Sequence, residues 1–395
     1  MGRLTKTILW LLIANAFMFV VLESAAWLWL QRVASDEQFY LYASRQQLEN
    51  RFDHYDDITP KYALHRYIGY YPNPNHRYRL NRHNALGFRG DEIPVPKPEN
   101  EFRIVCLGGS ATYTGFVNDY HKSYPAQLEQ ALQGDGWNVR VINGAAEAYT
   151  SYEALLTFQL RVLELEPDLI IVYLGTNDII ERFVWPPEYY RADNSGSRGP
   201  VVSALFMPPI WEYSTFIRIR LIRAGLAKPH SDLPTFYDVH EPSFYGFEWR
   251  DQKRAGEYPS GIFADADGRT MLNTNPPTHF RRNVELLVAA ADRFGVKTVL
   301  ATFAHCPDFP NEPWVHDPEF TWAYDESNAL LHDIAAQSNA ALFDFAQAFP
   351  LEKSYFIDGI HMNEDGAQLK AQLFAAFLTS EKLIPEIHRR GMEPK

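Results

Sequence analysis

Leu169 to Leu174, LIIVYL, is an unbroken apolar run that stops at Gly175-Thr176-Asn177-Asp178. Such a run has no polar side to offer water, so it reads as a central strand buried on both faces, as in parallel sheets covered by helices. Similar apolar segments over 102–107, 138–142, 296–303 and 340–345 read as four further strands. The segments between them carry helical spacing. Tyr124, Leu128, Ala131 and Leu132 share one face; Thr150 and Glu153 form a capping-box pattern ahead of Leu155, Leu156, Leu160 and Leu163. Phe280, Val284, Leu287, Val288 and Ala291 share another face and stop at Gly295, and helices are predicted over 323–337 and 363–378. This alternation predicts an α/β fold with a five-stranded parallel sheet.

Ligands of open α/β sheets gather beyond the C-terminal ends of the strands. Ser110 stands there, just past FRIVCLGG, as do the turn 143–151 and Asn177. With a flavodoxin-like strand order, 2-1-3-4-5, these three loops are neighbours. A serine, a turn presenting N–H groups and a side-chain amide are what an acyl-transfer site needs, because a tetrahedral intermediate must meet preorganised donors. The serine also needs a base. Asp358 and His361 are three apart, so the carboxylate can orient the imidazole; Asp344 and Asp365 lack that spacing to a histidine.

Gly108-Gly109-Ser110, Gly175-Thr176-Asn177-Asp178 and Asp358-Gly-Ile-His361, in this order, resemble the blocks of the SGNH (GDSL-type) hydrolases. The resemblance covers roughly 102–378. With the preceding apolar segment and Gly87-Phe88-Arg89-Gly90, it extends to membrane-anchored, exported members of that group. It implies a three-layer flavodoxin-like fold with Ser110 as nucleophile, His361 as general base and Asp358 as the acid that holds it. Asn177 and the Ser110 N–H are implied as oxyanion donors. Two positions depart from the pattern: Gly109 replaces the usual aspartate, and the oxyanion glycine falls on Ala148. The Ala148 N–H is expected to serve if φ there stays negative, with Gly144 as the fallback. No Gly-x-Ser-x-Gly elbow surrounds Ser110, which disfavours the α/β-hydrolase alternative.

Ahead of this domain, residues 8–22 are apolar except for Asn15, and the character resumes beyond Glu23 through Trp27 and Trp29. The run is long enough for one membrane-spanning helix, taken here as 1–32. Ser24-Ala25-Ala26 would instead suit cleavage of a secretory signal. Arg3 and Lys6 favour the cytoplasmic side, so the rest of the chain is expected in the periplasm or outside the cell. Glu23 is costly in lipid and invites a partner helix in the membrane or a place near the outer interface, the latter preferred. A membrane-proximal segment is expected over 33–100, the hydrolase domain over 101–380 with an insertion at 180–277, and a tail at 381–395.

The 395 residues carry a formal charge of −12, and no basic face stands out, which argues against nucleic acid as a partner. Arg218, Arg220 and Arg223 read as a solvated helix stripe. Two cysteines, Cys106 and Cys306, do not establish a redox compartment. His305, Cys306, Asp308 and His316 match no metal-binding spacing, and no metal or cofactor is expected. Trp185, Trp211, Tyr213, Phe244, Tyr245 and Trp249 serve core packing and loop anchoring, or else line a cleft for a sugar or acyl group. The expected activity is hydrolysis of a small ester or an acylated glycan. An acyltransferase using the same triad and a non-catalytic envelope component are the alternatives.

Overall fold

The computed structural model describes residues 2–51, 61–198, 203–205, 210–227, 229, 237–239 and 244–389. Parts of the expected insertion 180–277, of the segment 33–100 and of the tail 381–395 lie outside the described residues. The chain separates into two compact units, 61–202 with 239–395, and 1–60 with 203–238. The expected segments 33–100 and 180–277 are thus each divided between the units.

The larger unit holds the sheet: β1 (Phe102–Gly108), β2 (Val139–Asn143), β3 (Leu169–Tyr173), β4 (Lys297–Ala301) and β5 (Ala341–Phe343). All neighbours are parallel, in the order β2-β1-β3-β4-β5. β1 and β3 are buried along their whole length because both faces are covered. Ile104, Cys106, Ile171 and Tyr173 pack with Tyr124, Leu128, Leu132 and Phe374 of the helices Tyr124–Gly134 and Glu364–Ser380. Val105, Leu107, Ile170 and Val172 pack on the opposite face with Ala154, Val284 and Leu287 of the helices Ser151–Thr157 and Thr278–Arg293. The period of two along each strand therefore builds three layers. Each fully buried aliphatic side chain in them contributes about 1.5–3 kcal/mol.

The capping box at Thr150 and Glu153 is formed. The helix expected from residue 323 begins earlier, at Pro318, where Asp317 caps it and Pro318 needs no N–H partner. Of the aromatics in the expected insertion, Phe244 and Trp249 are buried, Trp249 between Phe183 and Phe320, whereas Tyr213 and Tyr245 are exposed.

In the smaller unit the helix Arg3–Arg32 is followed by Asp36–Tyr42 and Arg45–Arg51 and joined by Thr215–Arg223. Its stretch Thr5–Arg32 is apolar and long enough to cross a bilayer, and a signal sequence fits the same description. Glu23 accepts hydrogen bonds from Ser214 Oγ (2.7 Å) and from the N–H groups of Thr215 (2.6 Å) and Phe216 (3.0 Å). Its carboxylate is thus met by helix-end donors of its own chain. Arg218 corrects the solvated-stripe expectation: it is buried, donating to Tyr42 O, Glu212 O and Gln47 Oε1 at 2.6–2.7 Å. Arg220 and Arg223 remain exposed.

Candidate active site

β1 ends at Gly108, and Ser110 opens the short helix Ser110–Tyr113 directly beyond it. His361 and Asp358 come from the loop that precedes the last helix, Glu364–Ser380. Ser110 Oγ lies 2.7 Å from His361 Nε2, and His361 Nδ1 lies 2.6 Å from Asp358 Oδ2. Asp358 Oδ1 accepts the N–H groups of Ile360 (3.1 Å) and His361 (2.8 Å). Burial raises the pKa of the Asp358 carboxyl, but the bond and charge of the His361 ring and these two N–H donors outweigh it, so the group stays ionised to lower pH than usual.

Asn177 sits on the helix Thr176–Ile180 just past β3, and its Nδ2 donates to Tyr149 O at 2.9 Å. An amide carries two N–H bonds, so one remains for a ligand. Beside it, Asp178 Oδ1 accepts the Ser151 N–H at 2.8 Å, tying this block to the turn after β2. Burial pushes the Asp178 carboxyl up to about 7, against the lowering effect of its bonds to Ser151.

Two of the expected oxyanion donors need correction. Ala148 has a φ of +59°, not the negative value expected, so this alanine takes the left-handed conformation that a glycine adopts freely. Gly144 is no fallback: its N–H donates to Cys106 O at 2.9 Å, a bond that continues the β1–β2 pairing. Ser110, Asn177 and His361 line one small cavity of about 20 Å³ with Tyr149, Gly175 and Phe303. Neither Ala148 nor Gly144 lines it. A larger cavity, about 620 Å³, opens at Asp358 between Lys253, Arg254, Phe309 and Lys353.

Phe116 is a residue that sequence reasoning missed. Its ring lies 4.4 Å from that of His361, centroid to centroid, in a loop with no periodicity or motif to announce it. The buried contact of Asp178 was also missed, although the residue stood within the Gly-Thr-Asn-Asp block. The histidines and cysteine near 305–316 have structural contacts. His305 stacks on Tyr324, Cys306 Sγ bonds Leu351 O, and His316 Nδ1 meets Pro307 O.

A hydroxyl, an imidazole and a carboxylate stand in line at the C-terminal edge of a parallel sheet, with a side-chain amide alongside, which is the arrangement that nucleophilic catalysis by a serine requires. Residues 106–258 match the GDSL-like Lipase/Acylhydrolase family. The chain is 36% identical over 93 residues to an acetylxylan esterase of Xylanibacter ruminicola, covering 22% of this chain and 18% of that one. It is 31% identical over 93 residues to an arylesterase of Vibrio mimicus, covering 24% and 45%. The chain thus spans less than half the length of either relative. A crystal structure of a lipase/acylhydrolase from Enterococcus faecalis is similar at 14% identity and a TM-score of 0.40, over 71% of this chain and 96% of that one. These similarities are thus to acylhydrolases and esterases, each over part of the chain.

Proposed function

We propose that this chain is a membrane-anchored, exported serine esterase that removes a short acyl group, acetyl foremost, from an acylated glycan. The observation that carries the reading is the line from Ser110 Oγ through His361 to Asp358, with separations of 2.7 and 2.6 Å. As Ser110 Oγ attacks the ester carbonyl, its proton passes to His361 Nε2. Asp358 holds the imidazolium by accepting from Nδ1. The free N–H of Asn177 and the Ser110 N–H stabilise the oxyanion. His361 then hands the proton to the departing alcohol oxygen, and water activated by the same imidazole releases the acid.

The cavity beside Ser110 is small, about 20 Å³, which supports a short acyl group over a bulky one. The acetylxylan esterase among the relatives supports acetyl on a carbohydrate. The apolar stretch Thr5–Arg32, with Arg3 ahead of it and Lys6 at its start, supports an anchor that leaves the domain outside the cytoplasm.

The test is hydrolysis of a short-chain aryl ester and of acetylated xylan by the purified chain and by Ser110→Ala. The variant is expected to lose about four orders of magnitude or more in kcat. An unchanged rate overturns the reading.

A further inference from the structure

The motif Gly87-Phe88-Arg89-Gly90 has no part in the chemistry described so far, yet Arg89 is buried beside the loop that follows the nucleophile. Its Nη1 donates to Tyr113 O (2.6 Å) and Thr114 O (3.0 Å), and its Nη2 donates to Val117 O (2.5 Å). Its Nε donates to Asn81 Oδ1 at 2.6 Å. The guanidinium therefore grips the carbonyls on both sides of Phe116. Only a planar fork with several donors can do this, and a lysine cannot reproduce it.

The same loop is held from its other side. A Cβ added at Gly115 would stand 2.4 Å from Glu147 Oε1, so loop and carboxylate are in close contact there. Glu147 is itself fixed by Lys61 Nζ at 2.6 Å and Tyr62 OH at 2.9 Å. Between these two holds Phe116 projects its ring onto His361, at 4.4 Å and 49°. One face of the ring covers the imidazole, but the residue is 58% exposed. An apolar ring fixed in place and left open to solvent beside a general base is a surface for something to bind.

The position identifies which part of a substrate meets it. His361 Nε2 must come within about 3 Å of the departing alcohol oxygen to give it a proton. The alcohol half of the ester, not the acyl half, therefore passes over the imidazole and along the exposed side of Phe116. We propose that Phe116 is a specificity-determining platform that stacks against a six-membered ring on the alcohol half, and that Arg89 is the positioning residue that holds it there. This inference rests on Ser110 and His361 being nucleophile and base.

The experiment compares two acetate esters with the full chain, 4-nitrophenyl acetate carrying a ring and ethyl acetate carrying none. A fluorophosphonate probe reports Ser110 reactivity separately. An aromatic contact of about 0.5–1.5 kcal/mol corresponds to roughly 2- to 12-fold. Phe116→Ala is expected to lower the ring-over-ethyl ratio of kcat/KM by about that factor, through KM more than kcat, and Phe116→Tyr to restore it. Arg89→Lys is expected to lower the same ratio, with no further fall when combined with Phe116→Ala. A ratio unchanged in Phe116→Ala, with probe labelling at the parental rate, overturns the inference while leaving the esterase reading intact. A parent chain that neither labels nor hydrolyses either ester overturns both. If Arg89→Lys lowers only the melting temperature, the positioning role of Arg89 is overturned.

Discussion

Ser110 Oγ and His361 Nε2 are 2.7 Å apart although 251 residues of chain separate them. The contact closes because β1 and the loop before the last helix both end at the same edge of the sheet. Asp358 completes it from the far side of the ring, 2.6 Å from Nδ1. An acceptor at that point keeps the proton on Nδ1 and leaves Nε2 free to take the serine proton.

Asp358→Asn leaves the packing nearly unchanged but offers an N–H where the ring needs an acceptor. We expect kcat on a short-chain aryl ester to fall by about 10⁴, with KM within a few-fold of the parent. Because the ionised carboxylate is favoured in the folded state, its contribution to stability is present above the ordinary aspartate pKa and is lost as pH falls below it. Acid unfolding followed by circular dichroism is therefore expected to begin at higher pH in the parent than it would without that loss, and the acid-side slope to be shallower in Asp358→Asn.

Gly109 lies against the proposed oxyanion amide. A Cβ there would stand 2.6 Å from Asn177 Nδ2 and 3.0 Å from Tyr149 O. Gly109→Ala is expected to push the Asn177 amide aside and lower kcat by about 10- to 100-fold, approaching the 10²- to 10³-fold loss expected of Asn177→Ala. Steady-state kinetics on both variants, and on the double variant, check whether the two losses overlap.

Ala148 adopts a backbone conformation that costs an alanine about 1–2 kcal/mol, against which glycine pays about 0.5–1 kcal/mol of extra chain entropy. Ala148→Gly is thus expected to stabilise the chain by about 0.5–1 kcal/mol and raise the melting temperature by one to a few degrees, with activity retained. Thermal unfolding and an ester assay decide both parts.

Asp178 is pushed up to about 7 by burial; the Glu153 charge adds to the rise, and the Ser151 bonds and Arg198 oppose it. Glu181, buried nearby, is raised well above its ordinary value and has Asp178 among the causes. The folded state therefore holds a proton that the unfolded chain releases near pH 4, and stability falls as pH rises from about 4 to about 7. Asp178→Asn keeps an oxygen for the Ser151 N–H and removes this dependence. Its melting temperature relative to the parent is expected to climb across that window and level off above pH 7.

The strands were legible from residue types, because a strand buried on two faces must be apolar at every position and a covering helix must be apolar at one spacing; their order was expected only by resemblance to a flavodoxin-like fold. LIIVYL and the Phe280–Ala291 face are recorded in the chain for that reason. Ser110 and Asn177 were legible as candidates because each stands just past a strand whose end the sequence marks, and Asp358 and His361 because they lie three apart just ahead of the last helix. The tertiary structure decided what depends on groups meeting across loops. It turned Ala148 to positive φ, spent the Gly144 N–H on Cys106, buried Arg218 among carbonyls and brought donors to Glu23. It also set Phe116 over His361 with Arg89 behind it. Periodicity reports which side of an element leaves water; it carries no record of where a loop's carbonyls point or which distant side chain they will meet.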